Sequence, residues 1–211
     1  MFWSFFYTGR PLKQVKIIGI TGGIGAGKSL LSRIYSEQGY PVFNADQIAK
    51  EILSKDSDGW KEVASTFGNE ILLKNGEIDR KKLRERISKD PEARKLLDSI
   101  THPKIQTRSK ELFQKAADAG HTIIFYEAPL LFEAKSDKKM DFVICVTAPE
   151  EVRIRRTAKR DKRPEEEIRK LLQSQMSQEE KAKKSNFVIE NKGSESEFQK
   201  EALALLDKIR K

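Results

Sequence analysis

The sequence predicts an α/β fold: a parallel five-stranded sheet with helices on both faces. Short apolar runs of strand length alternate with segments of helical period, the pattern of strand–helix–strand units. A glycine-rich loop joins the first run to the first helix, the position at which such sheets bind anions. A third observation is a long helical stretch, about residues 60–120, that interrupts the strands like an insertion.

Each element has its own signal. Val15–Ile20 is rich in Val and Ile and breaks at Gly22-Gly23, as a buried parallel strand would. A helix pattern runs from Lys28 to about Gln38, with Leu30, Leu31 and Ile34 on one face and Gly39 as its stop. Pro41–Phe43 is a second short strand, and Asp46 opens a helix carrying Ile48, Ile52 and Leu53. From Trp60 to Gly120 the pattern is almost wholly helical, with a start at Asp90-Pro91 and a boundary between two helices at His102-Pro103. Thr122–Tyr126 and Phe142–Val146 are the third and fourth strands. A very basic helix spans about Pro149 to Lys162, and another begins near Pro164, where Glu165, Glu166 and Glu167 suit the positive end of the helix dipole. Phe187–Ile189 is the fifth strand and Phe198–Ile209 a terminal amphipathic helix.

Composition narrows the function. The 211 residues are 37% hydrophobic, enough for one core, and no window approaches the ~20 apolar residues of a membrane span. Cys145 is the only cysteine and lies in an apolar run, so it reads as a core residue and nothing indicates an oxidising compartment. A soluble, cytoplasmic protein is the expectation. Residues 1–14 crowd Trp3, Phe5, Phe6 and Tyr7 without a period and form an unassigned extension. The net charge of +9, from 41 basic and 32 acidic residues, favours anionic partners; these include nucleic acid, polyphosphorylated small molecules and, more weakly, a membrane surface.

Gly22-Gly23-Ile24-Gly25-Ala26-Gly27-Lys28-Ser29 fits G-x-x-x-x-G-K-[ST] at every fixed position, between a strand and a helix. Glycines let successive N–H groups turn inward around an anion. Lys28 supplies a point charge for the β and γ phosphates and Ser29 a hydroxyl for Mg²⁺. ATP and Mg²⁺ are therefore expected. Leu30 follows, where such loops often carry a second hydroxyl residue; the cost is small because Ser29 is the metal ligand.

Carboxylates and basic residues point to phosphoryl transfer. Asp46 lies just past the second strand, at the sheet edge where carboxyl ends converge. It can accept a proton from an acceptor hydroxyl, or it can N-cap the helix that follows. Glu127 ends the apolar strand Ile123–Tyr126 and can hold Mg²⁺ through a water; Glu133 is a further acid nearby. Arg153, Arg155, Arg156, Lys159, Arg160, Lys162 and Arg163 place seven basic residues in the eleven from 153 to 163. A solvated face is the ordinary explanation of such a run, but this density suits a lid, about residues 149–170, that closes over a phosphoryl group.

Several motifs together resemble those of the dephospho-coenzyme A kinase family. They are Ile20–Ser29, Asn44-Ala45-Asp46-Gln47-Ile48-Ala49, Gly76-Glu77-Ile78-Asp79-Arg80, Leu83-Arg84, His102-Pro103, Pro129–Glu133, Arg156-Thr157, Arg160-Asp161, Gln175 and Val188-Ile189-Glu190-Asn191. The resemblance implies a nucleotide-kinase-like P-loop core (about residues 15–59 and 121–211), a helical acceptor domain over about 60–120, and a small lid. It implies transfer of phosphate from ATP to the ribose 3′-hydroxyl of dephospho-coenzyme A. It implies Asp46 as base, Arg160 as a lid arginine near the phosphates, and Asn191 in the loop that holds the adenine of ATP. Acceptor contacts are implied for Asp46, Arg80, Arg84, His102 and Pro129, with Lys104 a further cation in the helical stretch. Asn44 replaces the first aspartate of the usual D-A-D, and Asn186 stands where an aspartate is common. Two alternatives stay open: a nucleoside or nucleotide kinase on the same core, and a nucleic-acid-binding P-loop ATPase. The concentration of basic residues in one helix and the lack of any zinc-finger or RNP-like signature argue against nucleic acid, and no membrane partner is expected.

Overall fold

A computed structural model describes residues 14–211; the aromatic segment 1–13, read as most of an N-terminal extension, lies outside the described residues. The chain divides into two compact units. The first ends at Phe43 and resumes over Ala116–Lys211; the second is Asn44–Lys115.

The first unit contains the sheet. Its strands are β1 (Lys16–Gly22), β2 (Val42–Asn44, whose last residue begins the second unit), β3 (Ile123–Glu127), β4 (Phe142–Thr147) and β5 (Phe187–Glu190), in the order β2-β3-β1-β4-β5. β1 pairs in parallel with β3 and β4, and β4 with β5; Ile20 lies opposite both Glu127 and Ile144. The chain crosses from β3 over β1 to β4, so the strand order reverses beside β1. In open α/β sheets the ligand crevice lies at that switch, outside the carboxyl ends.

Alternation along the strands sorts the two faces. Ile18 and Ile20, Ile123 and Phe125, Ile144 and Val146, and Ile189 form one core with α1 (Lys28–Glu37) and α9 (Glu195–Arg210), which add Leu31, Ile34, Tyr35, Phe198, Ala202, Leu206 and Ile209. Burying each large side chain contributes about 1.5–3 kcal/mol. Tyr35 is fully buried, stacks 4.4 Å from Phe125 and donates its hydroxyl to the Ala202 carbonyl at 3.2 Å. The opposite face is contacted at β1 and β4 by α8 (Gln178–Lys184). Burial pushes the Cys145 thiol in β4 up to about 11.

Two helices of this unit depart from the sequence expectation for one reason. The segment Gln178–Lys184 has no apolar stripe, yet it is helical because Ser177 and Glu180 form a capping box. The terminal helix begins at Glu195, a turn before Phe198, because Ser194 and Glu197 form another.

The second unit holds α2 (Ala45–Ile52), α3 (Asp58–Phe67), α4 (Arg80–Lys89) and most of α5 (Pro91–Asp118) around Val63, Ile71, Ile78, Leu83, Leu97 and Ile100. It begins at Asn44, before the residue 60 expected for an insertion, because α2 and α3 pack on each other. Nor is it wholly helical. Leu72 and Ile78 form an antiparallel bridge across a turn at Gly76, and the Trp60 indole N–H donates to the Gly76 carbonyl at 2.9 Å. Asp79 then caps α4 by accepting from the N–H groups of Lys81 and Lys82.

The expected break at His102-Pro103 is absent: α5 runs unbroken through Pro103. Proline removes one N–H and crowds the carbonyl four residues back. Leu97 and Ile100, buried in the unit's core just before it, hold the helix on course. The start at Pro91 is as expected, with the Asp90 carboxylate accepting from the N–H groups of Glu92 and Ala93.

Candidate active site

The glycine-rich loop leaves β1 and enters α1. Gly27 has φ 108°, a left-handed conformation that L side chains resist. A Cβ there would lie 2.1 Å from Asn191 Nδ2, so glycine is required twice over. Asn191 follows β5, is buried, and donates Nδ2 to the Ala26 carbonyl at 3.0 Å. Its side-chain oxygen accepts from Arg156 Nη2 at 3.3 Å. Asn191 thus braces the loop from behind.

Lys28 is buried and its ammonium donates to the Gly22 and Gly23 carbonyls, both at 3.0 Å. The loop itself holds the charge in place. Ser29 is exposed and donates to Glu127 Oε1 at 3.1 Å. Ser32, one turn on, donates to Glu127 Oε2 at 2.8 Å. Glu127 is 4% exposed at the end of β3, so these hydroxyls take the place of water around a buried carboxylate. Leu30 packs partly buried against the core.

Ser32 was not foreseen. The available signal was its spacing: three residues after Ser29, it shares a helix face with it. An oxygen-only set of hydroxyl and carboxylate suits a hard dication such as Mg²⁺.

The segment after β3 is held by an ion pair that sequence reasoning also missed. Lys181 of α8 is fully buried; its ammonium donates to the Pro129 carbonyl at 2.6 Å and pairs with Glu133 at 2.9 Å. Glu133 therefore fastens this segment, and the Pro129 carbonyl also accepts from Thr21 Oγ1 at 3.4 Å.

The basic run is α6 (Glu150–Asp161), followed by α7 (Glu165–Gln173). Its cations have different environments. Arg153 is 6% exposed beside Gly23, and Arg156 reaches Asn191. Arg160 is mostly exposed and bound bidentately to Asp161 at 2.7 and 2.9 Å, which raises its pKa and lowers that of Asp161. Arg163 pairs with Glu167. Arg153, Arg156 and Arg160 follow helical spacing, which marks them as one face.

The remaining expected residues are in the second unit. Asp46 lies exposed in the first turn of α2 but is not its cap: Asn44 is, accepting from the Gln47 N–H at 3.0 Å. Asparagine caps about as well as aspartate, so Asn44 in place of aspartate keeps the helix start. Asn186 likewise needs only an oxygen, which accepts from the Val143 N–H at 2.8 Å. Arg80 and Arg84 are exposed one turn apart on α4. His102 is exposed on α5, 3.6 Å from Asp98, and Lys104 pairs with Glu62.

The family description "Dephospho-CoA kinase" matches residues 16–197. A dephospho-CoA kinase of Fusobacterium nucleatum is 45% identical over 178 residues, covering 84% of this chain and 90% of its own. Among solved structures, TT1252 from Thermus thermophilus superposes with a TM-score of 0.82 at 31% identity, covering 92% of this chain and 98% of its own. Dephospho-CoA kinase from Campylobacter jejuni does so with a TM-score of 0.69 at 33% identity, covering 92% and 96%. The chain therefore belongs to the dephospho-CoA kinase family.

Proposed function

We propose that this protein transfers the γ-phosphoryl group of ATP to the ribose 3′-hydroxyl of dephospho-coenzyme A, giving coenzyme A and ADP. The observation that carries phosphoryl transfer is the loop-to-strand link: a buried strand-end carboxylate, Glu127, hydrogen-bonded to the loop hydroxyl of Ser29, beside Lys28. The acceptor rests on the family.

In this reading the N–H groups of Gly22 to Ser29 cradle the β and γ phosphates, with Leu30 continuing the helix behind them. Lys28 fixes positive charge against them, and Asn191 keeps the loop in shape near the adenine. Ser29 and Glu127 would hold Mg²⁺, and that ion would neutralise charge on the phosphates. Asp46 accepts the proton of the acceptor hydroxyl as the new O–P bond forms; the bond from phosphorus to the bridging oxygen breaks and ADP leaves with the electron pair. Arg160 exchanges Asp161 for phosphate oxygens when the lid of α6 and α7 closes. Arg80, Arg84, His102 and Pro129 contact the acceptor. Cytoplasmic location fits both substrates.

The test is an acceptor panel with Mg-ATP, read as ADP release. Dephospho-coenzyme A should give a far higher kcat/KM than AMP, CMP, UMP or adenosine. A nucleoside monophosphate outperforming it would move the protein to nucleotide kinases.

A further inference from the structure

We propose that Arg153 is a cation built in behind the phosphate loop, whose charge is met by the nucleotide's phosphates and which thereby sets affinity for ATP. The inference rests on the nucleotide site proposed above.

The geometry is specific. Arg153 is 6% exposed. Among the described residues its Nε is buried with no hydrogen-bond partner. A Cβ added to Gly23 would lie 2.4 Å from Nη1, so the guanidinium rests close against the loop backbone. The helix backbone is equally close: a Cβ at Gly25 would lie 2.5 Å from the Arg153 carbonyl oxygen. That carbonyl is anchored by Thr157 Oγ1 at 2.8 Å, and the Arg153 N–H donates to the Pro149 carbonyl at 3.1 Å. The backbone that carries the side chain is therefore fixed on both sides.

A buried guanidinium usually sits in a full set of hydrogen bonds. Here burial pulls its pKa down, and Glu150 and Glu179 oppose that only through space. A buried Nε–H without an acceptor costs stability unless something offsets it. What fits is the polyanion the loop is built to bind: across a single layer of backbone, the guanidinium's charge acts on the phosphates more strongly than it would through bulk water. Arg160 differs in kind, being exposed and already matched by Asp161. Arg153 is accordingly a positioning residue acting through the loop, and its effect falls on ATP binding rather than on the chemical step.

The experiment compares wild type with Arg153→Gln, Arg153→Met and Arg153→Lys. Binding of a non-hydrolysable ATP analogue with Mg²⁺ is measured by calorimetry, and melting is followed without nucleotide. The neutral variants should bind about tenfold more weakly, a change of about 1.4 kcal/mol, while melting at or above the wild-type temperature. Arg153→Lys should stay within about threefold of wild type, and KM for ATP should rise in the neutral variants with kcat held. Neutral variants that bind as wild type does overturn the proposal. So does equal weakening in all three, which would make the role one of packing, and so does failure of both neutral variants to fold. A wild type that binds no nucleotide overturns the nucleotide site itself and this inference with it.

Discussion

Gly27→Ala tests whether the loop and Asn191 are built around each other. The alanine must adopt φ 108°, which costs about 1–2 kcal/mol for a residue with a Cβ. Its Cβ also meets Asn191 Nδ2 at 2.1 Å, so Asn191 must move and release its bond to the Ala26 carbonyl. A buried bond lost in that way costs about 1–3 kcal/mol more, for a total of about 2–5 kcal/mol. In an Asn191→Ala background the nearest remaining contact is the 3.7 Å to Cβ, an ordinary distance, and only the conformational part of about 1–2 kcal/mol persists. The cycle of four proteins, followed by urea unfolding with circular dichroism, should therefore return a coupling of about 1–3 kcal/mol. Additivity within about 0.5 kcal/mol would refute the contact as the reason for glycine.

Three further predictions follow from the site and the core. Asp46→Asn should lower kcat by roughly 10² or more while melting within a degree or two of wild type, because Asn44 caps α2; a melting loss with kcat preserved would make the residue structural. Glu127→Gln should cost roughly 10²–10³ in kcat and raise the Mg²⁺ needed for half-maximal rate, and an unchanged Mg²⁺ dependence would remove Glu127 from the metal site. Cys145 has its folded pKa raised from 9.0 to about 11 by burial, so the buried neutral thiol contributes stability that is complete below pH 9 and fades as pH rises towards 11, where the unfolded chain has already released its proton. Cys145→Ala should show a shallower loss of stability over that window, by up to roughly 3 kcal/mol, and identical slopes in urea unfolding would contradict this.

Local signals carried the sheet and the phosphate loop. Every glycine in Gly22–Gly27 and the pair Lys28-Ser29 is a short-range pattern, and Glu127 stands at the end of a continuous apolar run, Ile123–Tyr126, of strand length. What escaped was set by partners distant in sequence. Lys181 carries no local signal and Glu133 reads only as a further acid near Glu127; α8 brings the buried ammonium of the one onto the carboxylate of the other. Arg153 belongs to the same run as Arg160, yet one is buried against the loop and the other is mostly exposed; composition counts both alike. Pro103 looked like a boundary because local sterics say so, and burial of Leu97 and Ile100 overrode them. Asp46 was weighed as a cap, but the cap lies two residues earlier, at Asn44.

Transfer of phosphate to one hydroxyl of one acceptor can be followed at the product. Incubation of the protein with Mg-ATP and dephospho-coenzyme A, followed by phosphorus NMR and mass spectrometry of the product, tests it directly. The product should carry one added phosphoryl group, a phosphomonoester on the ribose 3′-oxygen, formed in step with ADP and greatly slowed in the Lys28→Met protein. ADP formed with dephospho-coenzyme A unchanged, or a product phosphorylated elsewhere, would contradict it.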